Sequence, residues 1–263
     1  MMRNLRLLLM LLKMKLSHMM VFRWSFFGAF FVDGSLFAIE ILAFSAIYAN
    51  VGSIGGWTRP EMLIFIGTFS LINALNMSLF FFGVLQIPEK IVRGELDHYL
   101  TKPMNPLLRL TFENMDPGSV PLIFGSIGVI AYGASGLPNP PGWPAILGYI
   151  PMTLLMTLLW YDMELILRCI PFFVTSARNV DEVEGSVITL CFRIPGTLFE
   201  GVFKVLFCFF LPYGIMATIP AQMLAGTLTP AGLAYGVGVA ALFTWFALWL
   251  WRKGLGCYKS ASG

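Results

Sequence analysis

The chain has 263 residues, of which 57% are hydrophobic and only 12% are charged, and its mean hydropathy is +0.78. Soluble domains carry about 45–50% apolar and about 25% charged residues, so this composition excludes a water-soluble enzyme, and its 24 Phe and 7 Trp exclude a disordered chain. The net charge of +3 is too small to indicate binding to nucleic acid. We therefore expect an all-α integral membrane protein with no room for a soluble catalytic domain.

The first feature along the chain is a basic amphipathic segment. One helical face carries Arg3, Arg6, Lys13 and Ser17, and the other carries Leu5, Leu8, Leu9, Leu12 and Leu16. No small-x-small cleavage site follows, which argues against a signal peptide. The pattern predicts a helix that lies in the plane of the lipid headgroups.

Six apolar segments follow, each long enough to cross a hydrocarbon core of about 30 Å as a helix. They cover residues 25–49, 61–86, 118–136, 145–168, 198–222 and 231–251, and the fourth could continue to 176. With both termini in the cytoplasm, all of the 17 basic residues except Arg59 lie inside, with Arg193 and Lys204 in or beside the loop between segments four and five. The loop that contains Gly55-Gly56-Trp57 then lies outside. This positive-inside bias predicts the topology.

Motifs for nucleotide hydrolysis and metal binding are missing from the sequence. It contains no GxxxxGK[ST] phosphate loop, no HExxH and no GxSxG, and its two histidines, His18 and His98, stand alone. The four cysteines lack CxxC or Cys/His spacing, which predicts reduced packing residues. We expect that this chain hydrolyses no ATP by itself and binds no metal.

The loop between the second and third segments, residues 87–106, carries the most informative pattern. Its apolar residues recur every four positions as Val92, Leu96 and Leu100, with Tyr99 beside them, and Glu89, Arg93 and Asp97 take the opposite face. Two prolines, Pro103 and Pro106, then end the helix. The pattern predicts a short surface helix that either rests on the membrane or docks a cytoplasmic partner.

Polar residues inside the predicted spans form a second group of candidates. Asp33 and Glu40 lie two turns apart on the first helix, and Asn73 and Asn76 lie three residues apart on the second. A carboxylate in lipid costs at least about 2.5 kcal/mol, so the acids should face protein or water, and the asparagines could hydrogen-bond across to them. The group predicts either part of a translocation path or a packing contact between helices.

A third group lies near the inner end of the fourth segment, where Asp162 and Glu164 precede Arg168. Glu164 and Arg168 have i,i+4 spacing, which indicates a mainly structural pair.

Three segments resemble a known family. The segment Arg93-Gly94-Glu95-Leu96-Asp97-His98-Tyr99-Leu100-Thr101-Lys102-Pro103 resembles the G-x-L-D-x-Y-L-x-x-P signature of ABC-2 family permeases, the membrane subunits of bacterial ABC exporters. Leu211-Pro212-Tyr213-Gly214 with Ile219-Pro220-Ala221 resembles the proline-broken fifth-span region of that family, and residues 251–263 resemble its tail. The resemblance implies no role for the acidic residues 181–184.

The resemblance implies a six-span permease half that pairs with an identical or homologous second half and docks cytoplasmic ABC ATPase subunits. ATP and Mg would be bound by those subunits, and this chain would hold no cofactor. The basic N-terminal helix would be an elbow helix. A coupling helix would be formed by Arg93, Gly94, Glu95, Leu96, Asp97, Tyr99, Leu100, Lys102 and Pro103. The expected location is the bacterial plasma (inner) membrane.

Two other classes stay open on the residues alone. An ion-coupled secondary carrier would use Asp33 and Glu40 as its ion site, although the sequence shows no inverted repeat. A membrane-embedded enzyme would need a paired His or His/Glu cluster, which the sequence lacks. An apolar lumen would suit a lipid, a hydrophobic peptide or an amphiphilic drug, so the sequence does not specify the substrate.

Overall fold

The computed structural model of the protein describes residues 23–174 and 180–258, so the predicted N-terminal helix and the end of the tail lie outside the described residues. The α-helices are, in chain order, α1 (Arg23–Tyr48), α2 (Arg59–Asn76), α3 (Phe82–Val84), α4 (Ile87–Val92), α5 (Asp97–Leu100), α6 (Pro106–Glu113), α7 (Val120–Ser135), α8 (Trp143–Arg168), α9 (Val180–Arg193), α10 (Gly201–Val205), α11 (Tyr213–Ala225) and α12 (Pro230–Cys257). The shorter elements are the π-helical segments Met77–Phe81 and Leu206–Phe210, the 3₁₀ turns Pro117–Ser119, Ile170–Phe172 and Gly196–Leu198, and the antiparallel strands β1 (Ser53–Ile54) and β2 (Trp57–Thr58).

Three helical stretches of the described chain are long and apolar enough to cross a membrane. They are Arg59–Val92, Trp143–Phe172 and Pro230–Cys257, which contain the second, fourth and sixth predicted spans. The first and third predicted spans coincide with shorter apolar helices, Gly34–Tyr48 and Val120–Ser135. The protein is therefore an all-α membrane protein, and its count of six spans stays a prediction.

The fifth predicted span, residues 198–222, is not one continuous helix. Gly201–Phe210 and Tyr213–Ala225 are both apolar, but they meet at an angle of 84°, as in a broken span or a re-entrant loop. The break falls at Leu211 and Pro212, where proline has no N–H to continue the helical hydrogen bonds.

The core lies around α2, which packs against α7, α8 and α11. A chain of aromatic rings crosses this core from Trp57 through Phe65 and Phe69 to Trp160 and Tyr213, with centroid distances between 5.4 and 6.5 Å. Edge-to-face pairs of this kind add to the energy of apolar burial. The chain of rings therefore ties α2, α8 and α11 into one unit.

Small residues set the distance between α2 and α7. A Cβ at Gly133 would lie 2.9 Å from the carbonyl oxygen of Pro60, and a Cβ at Gly67 would lie 2.7 Å from Ile130 Cγ1. Only glycine fits at such distances, so the two backbones approach closely, as is typical of helix pairs in membranes.

The core helices α2 and α8 run in the same direction. Thr68 lies 2.9 Å from Tyr149 across their hydroxyls, and the rings of Phe80 and Tyr161 lie 5.1 Å apart. Contacts therefore advance together along α2 and α8. As a result the β-hairpin before α2 and Arg168 at the end of α8 lie at opposite ends of the bundle.

The course of α9 differs from the expected one. Glu184 on its second turn contacts Arg168 at one end of the bundle, whereas Thr197, just beyond its last turn, accepts a hydrogen bond from Trp57 Nε1 at 2.8 Å at the other end. The charge distribution predicts that Trp57 lies outside and that Arg193 and Lys204 lie in or beside an inner loop, but the contact between Trp57 and Thr197 does not allow both placements. The prediction of a one-sided loop between segments four and five is wrong, because α9 connects the two ends of the bundle.

Candidate functional site

The predicted coupling helix is interrupted in the structure. α4 ends at Val92, Gly94 adopts a φ of +74°, and α5 begins only at Asp97. A left-handed φ favours glycine, which has no Cβ to clash with the backbone. The prediction of one apolar face is wrong, because Val92 and Leu100 are 76% and 43% exposed while Leu96 is buried.

Residues 93–103 divide instead into an outward and an inward set. The outward residues, which we call the coupling face, are Arg93, Glu95, His98, Leu100, Thr101, Lys102 and Pro103, all of them exposed. The inward residues are Leu96 and Tyr99, which are buried. Gly94 forms the turn between the two short helices, and Asp97 is half-buried. The coupling face is therefore a mainly polar surface that is fixed to the core from behind.

Tyr99 anchors this segment to α6. The ammonium of Lys90 lies 5.1 Å from the centre of its ring, and the guanidinium of Arg109 lies 4.8 Å from it. Its hydroxyl donates to Glu113 Oε1 at 3.3 Å, and Glu113 also pairs with Arg109 at 3.4 Å. Two cations over one ring help to hold its position by electrostatic attraction to the π system. A movement of α5 is therefore expected to move α6.

The tail also reaches the coupling segment. Tyr258 lies beside Leu96 and Asp97, and its pKa is raised above the ordinary value by burial and then by the Asp97 carboxylate. Its ring packs at 6.4 Å from Phe172, which in turn packs at 5.6 Å from Trp251 on α12. The family-like signature and the family-like tail, far apart in sequence, thus belong to one cluster with the end of α8.

The polar residues of the first span are not joined by hydrogen bonds to those of the second span in the described structure. Glu40 pairs with Arg193 of α9 at 3.5 Å, and its side chain is only 16% exposed. The side chain of Asp33 lies outside the described part of the structure. Asn76 is buried, and among the described residues its Oδ1 has no hydrogen-bond partner. Within the described residues no hydrogen bond joins Asn73 or Asn76 to Glu40, so the expected bond between these pairs is not formed there.

Three buried charges, Arg168, Glu164 and Glu184, meet where α8, α9 and α11 come together. With the exposed Asp181 and the buried Tyr213 they form what we call the Arg168 cluster. Arg168 Nη2 lies 3.3 Å from both Glu164 Oε2 and Glu184 Oε2, and Nη1 lies 2.7 Å from Asp181 Oδ1. The Tyr213 hydroxyl donates to Glu184 Oε1 at 2.5 Å. The predicted contact between Glu164 and Arg168 is confirmed.

The role of the acidic residues 181–184 was missed from the sequence. Two of them, Asp181 and Glu184, are partners of Arg168. A buried charge is costly unless it is paired, so an arginine at the end of an apolar helix signals that carboxylates must approach it. That signal does not say which carboxylates, because the approach depends on the course of α9.

No catalytic or metal centre is evident in residues 23–174 and 180–258. No group of three His, Cys, Asp or Glu that could hold a metal occurs there. All four cysteines are free, and Cys169, Cys191 and Cys208 are buried. Asp162 accepts a hydrogen bond from Thr244 Oγ1 at 2.5 Å, which links α8 to α12.

Residues 35–262 match the model of the family described as ABC-2 family transporter protein. No curated protein and no solved structure matches the chain. The family match covers the coupling face, the Arg168 cluster and the family-like tail.

Proposed function

Since this chain belongs to the ABC-2 transporter family, we propose that it is the membrane subunit of an ABC exporter, driven by a separate ATPase. The family supports a permease-type transport role for a multi-pass membrane protein. The proposal adds that the chain pairs with a second permease half, identical or homologous, in the bacterial inner membrane with both termini in the cytoplasm. ATP and Mg would be bound by the partner ATPase.

The observation that carries this proposal is the coupling face. It presents Arg93, Glu95 and Lys102 to solvent, whereas Leu96 and Tyr99 behind it are buried at 1% and 5% exposure. A partner can bind exposed charges, and buried anchors can pass its movement into the membrane helices. Val92 and Leu100 are exposed beside these charges, so this surface offers a partner apolar as well as charged contacts.

The contacts behind the coupling face support two routes for that movement. Tyr99 leads to Arg109 and Glu113 on α6, and Leu96 leads to Tyr258 at the end of α12. Both routes consist of buried or half-buried groups, and close-packed interiors transmit displacement. ATPase movement at the coupling face would therefore shift α6 and α12 together.

The translocation path remains a proposal built on the first two spans. The pair of Glu40 and Arg193 and the unpartnered Oδ1 of Asn76, together with Asn73 and Asp33, are the candidates. Polar groups within a membrane domain are expensive, so they commonly mark a path or a specific contact. No observation favours the secondary-carrier alternative. The carboxylate of Glu40, one of the two acids proposed as its ion site, is already paired with Arg193.

The test is ATPase activity and transport of the complex reconstituted with its ATPase. Combined reversal of Glu95 and Lys102, as Glu95→Arg with Lys102→Glu, is expected to lower coupled transport while the protein still inserts and folds. The matched control is Arg59→Glu, an exposed charge at the opposite end of the bundle. A cysteine at His98 is expected to crosslink to the ATPase. Unchanged assembly and transport with no crosslink would show that the coupling face does not dock an ATPase.

A further inference from the structure

A cavity of about 690 Å³ lies between α10, α11 and α12, away from the coupling face. Its walls are mainly apolar and include Val205, Phe209, Ile215 and Ile219. Pockets of about 300–1,000 Å³ with apolar walls and a few polar groups are typical small-molecule sites. Val205 and Phe209 are 51% and 48% exposed, so the cavity opens sideways at the surface of the chain.

Most polar groups that line the cavity already have partners within the protein. Thr197 accepts from Trp57 Nε1 at 2.8 Å, Thr218 donates to the Gly214 carbonyl at 2.7 Å, and Tyr235 donates to the carbonyl of Cys208 at 2.6 Å. A ligand would therefore find these groups engaged, and its polar end must be recognised elsewhere in the lining.

Two lining side chains are left for that recognition. Lys204 is the only charged residue among the described residues that line the cavity, and Gln222 is the only carboxamide. Within residues 23–174 and 180–258, neither the Lys204 ammonium nor the Gln222 amide makes an ion pair or a side-chain hydrogen bond. Lys204 is exposed at the open side of the cavity, where its ammonium can pair with an anionic group whose apolar part lies against the walls.

We infer that this cavity binds a single-chain amphiphile with an acidic headgroup. The acid contacts Lys204 and Gln222, and the apolar chain lies along Phe209, Ile215 and Ile219. The lone cation of the lining selects an anion over a zwitterion, and the volume suits one apolar chain. Binding is independent of the ATPase, whereas the role of this amphiphile as the transported substrate rests on the proposed function.

The experiment measures binding of dodecyl phosphate to the full chain in a neutral detergent by native mass spectrometry. Dodecylphosphocholine has the same chain and a phosphate balanced by an ammonium, so it is the matched ligand control. The wild-type protein is expected to bind dodecyl phosphate more tightly than dodecylphosphocholine. Lys204→Gln should weaken this binding about tenfold or more, since a hydrogen bond to a charged group is lost, and Lys204→Arg should restore it.

Two further variants separate the cavity from general charge effects. Val205→Trp fills the cavity from an exposed position and should abolish binding without affecting folding. Lys253→Gln removes a cation that lies over Trp249, outside the cavity, and should change nothing. Equal loss in Lys204→Gln and Lys253→Gln, or equal binding of both ligands, would overturn the assignment. A change in oligomeric state with Val205→Trp and no dodecyl phosphate bound to wild type would show instead that a second copy of the chain fills the cavity.

A final measurement separates this site from the proposed function. If Lys204→Gln loses binding but transport of dodecyl phosphate by the reconstituted complex is absent even in wild type, the site stands and its role as a substrate site does not. If the coupling variants abolish transport while binding persists, both proposals hold.

Discussion

The indole of Trp57 donates a hydrogen bond to the hydroxyl of Thr197 at 2.8 Å. This bond joins the hairpin before α2 to the turn after α9, and Leu198 lies against Gly55 in the same place. The turn at 196–198 therefore lies on the same side of the protein as the hairpin, although a charge count along the chain puts it on the other side.

The first prediction concerns this topology. In a background without the native cysteines, Glu200→Cys should react with an impermeant thiol reagent from the same side as Ser53→Cys. Lys102→Cys, on the coupling face, should react only from the opposite side. If Glu200→Cys reacted from the same side of the membrane as Lys102→Cys, the course of α9 described above would be wrong.

The second prediction tests the interruption of the coupling helix at Gly94. Leu96→Ala removes a side chain that is 1% exposed and should lower the free energy of unfolding by about 2–5 kcal/mol, through lost burial and the cavity left behind. Val92→Ala is the matched control and should change stability by less than about 0.5 kcal/mol, because Val92 is exposed. Denaturant unfolding in detergent measures both. Equal losses of unfolding free energy in Leu96→Ala and Val92→Ala would instead support one continuous amphipathic helix with Val92 and Leu96 on the same buried face.

The third prediction concerns the Arg168 cluster. Arg168→Met leaves Glu164 and Glu184 buried without their cation, so we expect a loss of about 3–5 kcal/mol in unfolding free energy. The control Arg252→Met removes an exposed cation near the end of α12 and should cost less than about 0.5 kcal/mol.

An additional variant checks the cause of that loss. Arg168→Met combined with Glu164→Gln and Glu184→Gln removes two of the carboxylate charges along with the cation, and it should recover part of the stability. No recovery would mean that the packing of Arg168, and not its charge, stabilises this junction.

The fourth prediction addresses Glu40 and Arg193. Their contact at 3.5 Å joins α1 to α9, so Glu40→Gln and Arg193→Gln should be less costly together than the sum of the two, with an interaction energy of about 0.5–3 kcal/mol. Unfolding of the four proteins gives this energy. Transport by the double variant then separates the roles: normal transport indicates a packing contact, and reduced transport of a stable protein supports a translocation path.

Several features of this protein follow from its sequence by itself. The overall composition and the length of the apolar segments predict an all-α membrane protein, since neither property depends on how the chain folds. Local motifs point to the segment around Gly94 and Pro103, because turn chemistry depends on one or two residues. The proline-broken region at Pro212 was indicated only by the resemblance to the family. The pair of Glu164 and Arg168 also follows from helical spacing alone.

Other features were decided only by the tertiary structure. The periodicity of Val92, Leu96 and Leu100 suggests one face, but the left-handed turn at Gly94 rotates α5 so that only Leu96 is buried. The partners of Arg168 on α9 and the bond between Trp57 and Thr197 depend on where a distant segment returns. Such contacts arise because buried charges and polar groups must find partners across the whole fold, and local pattern carries no record of which segment supplies them.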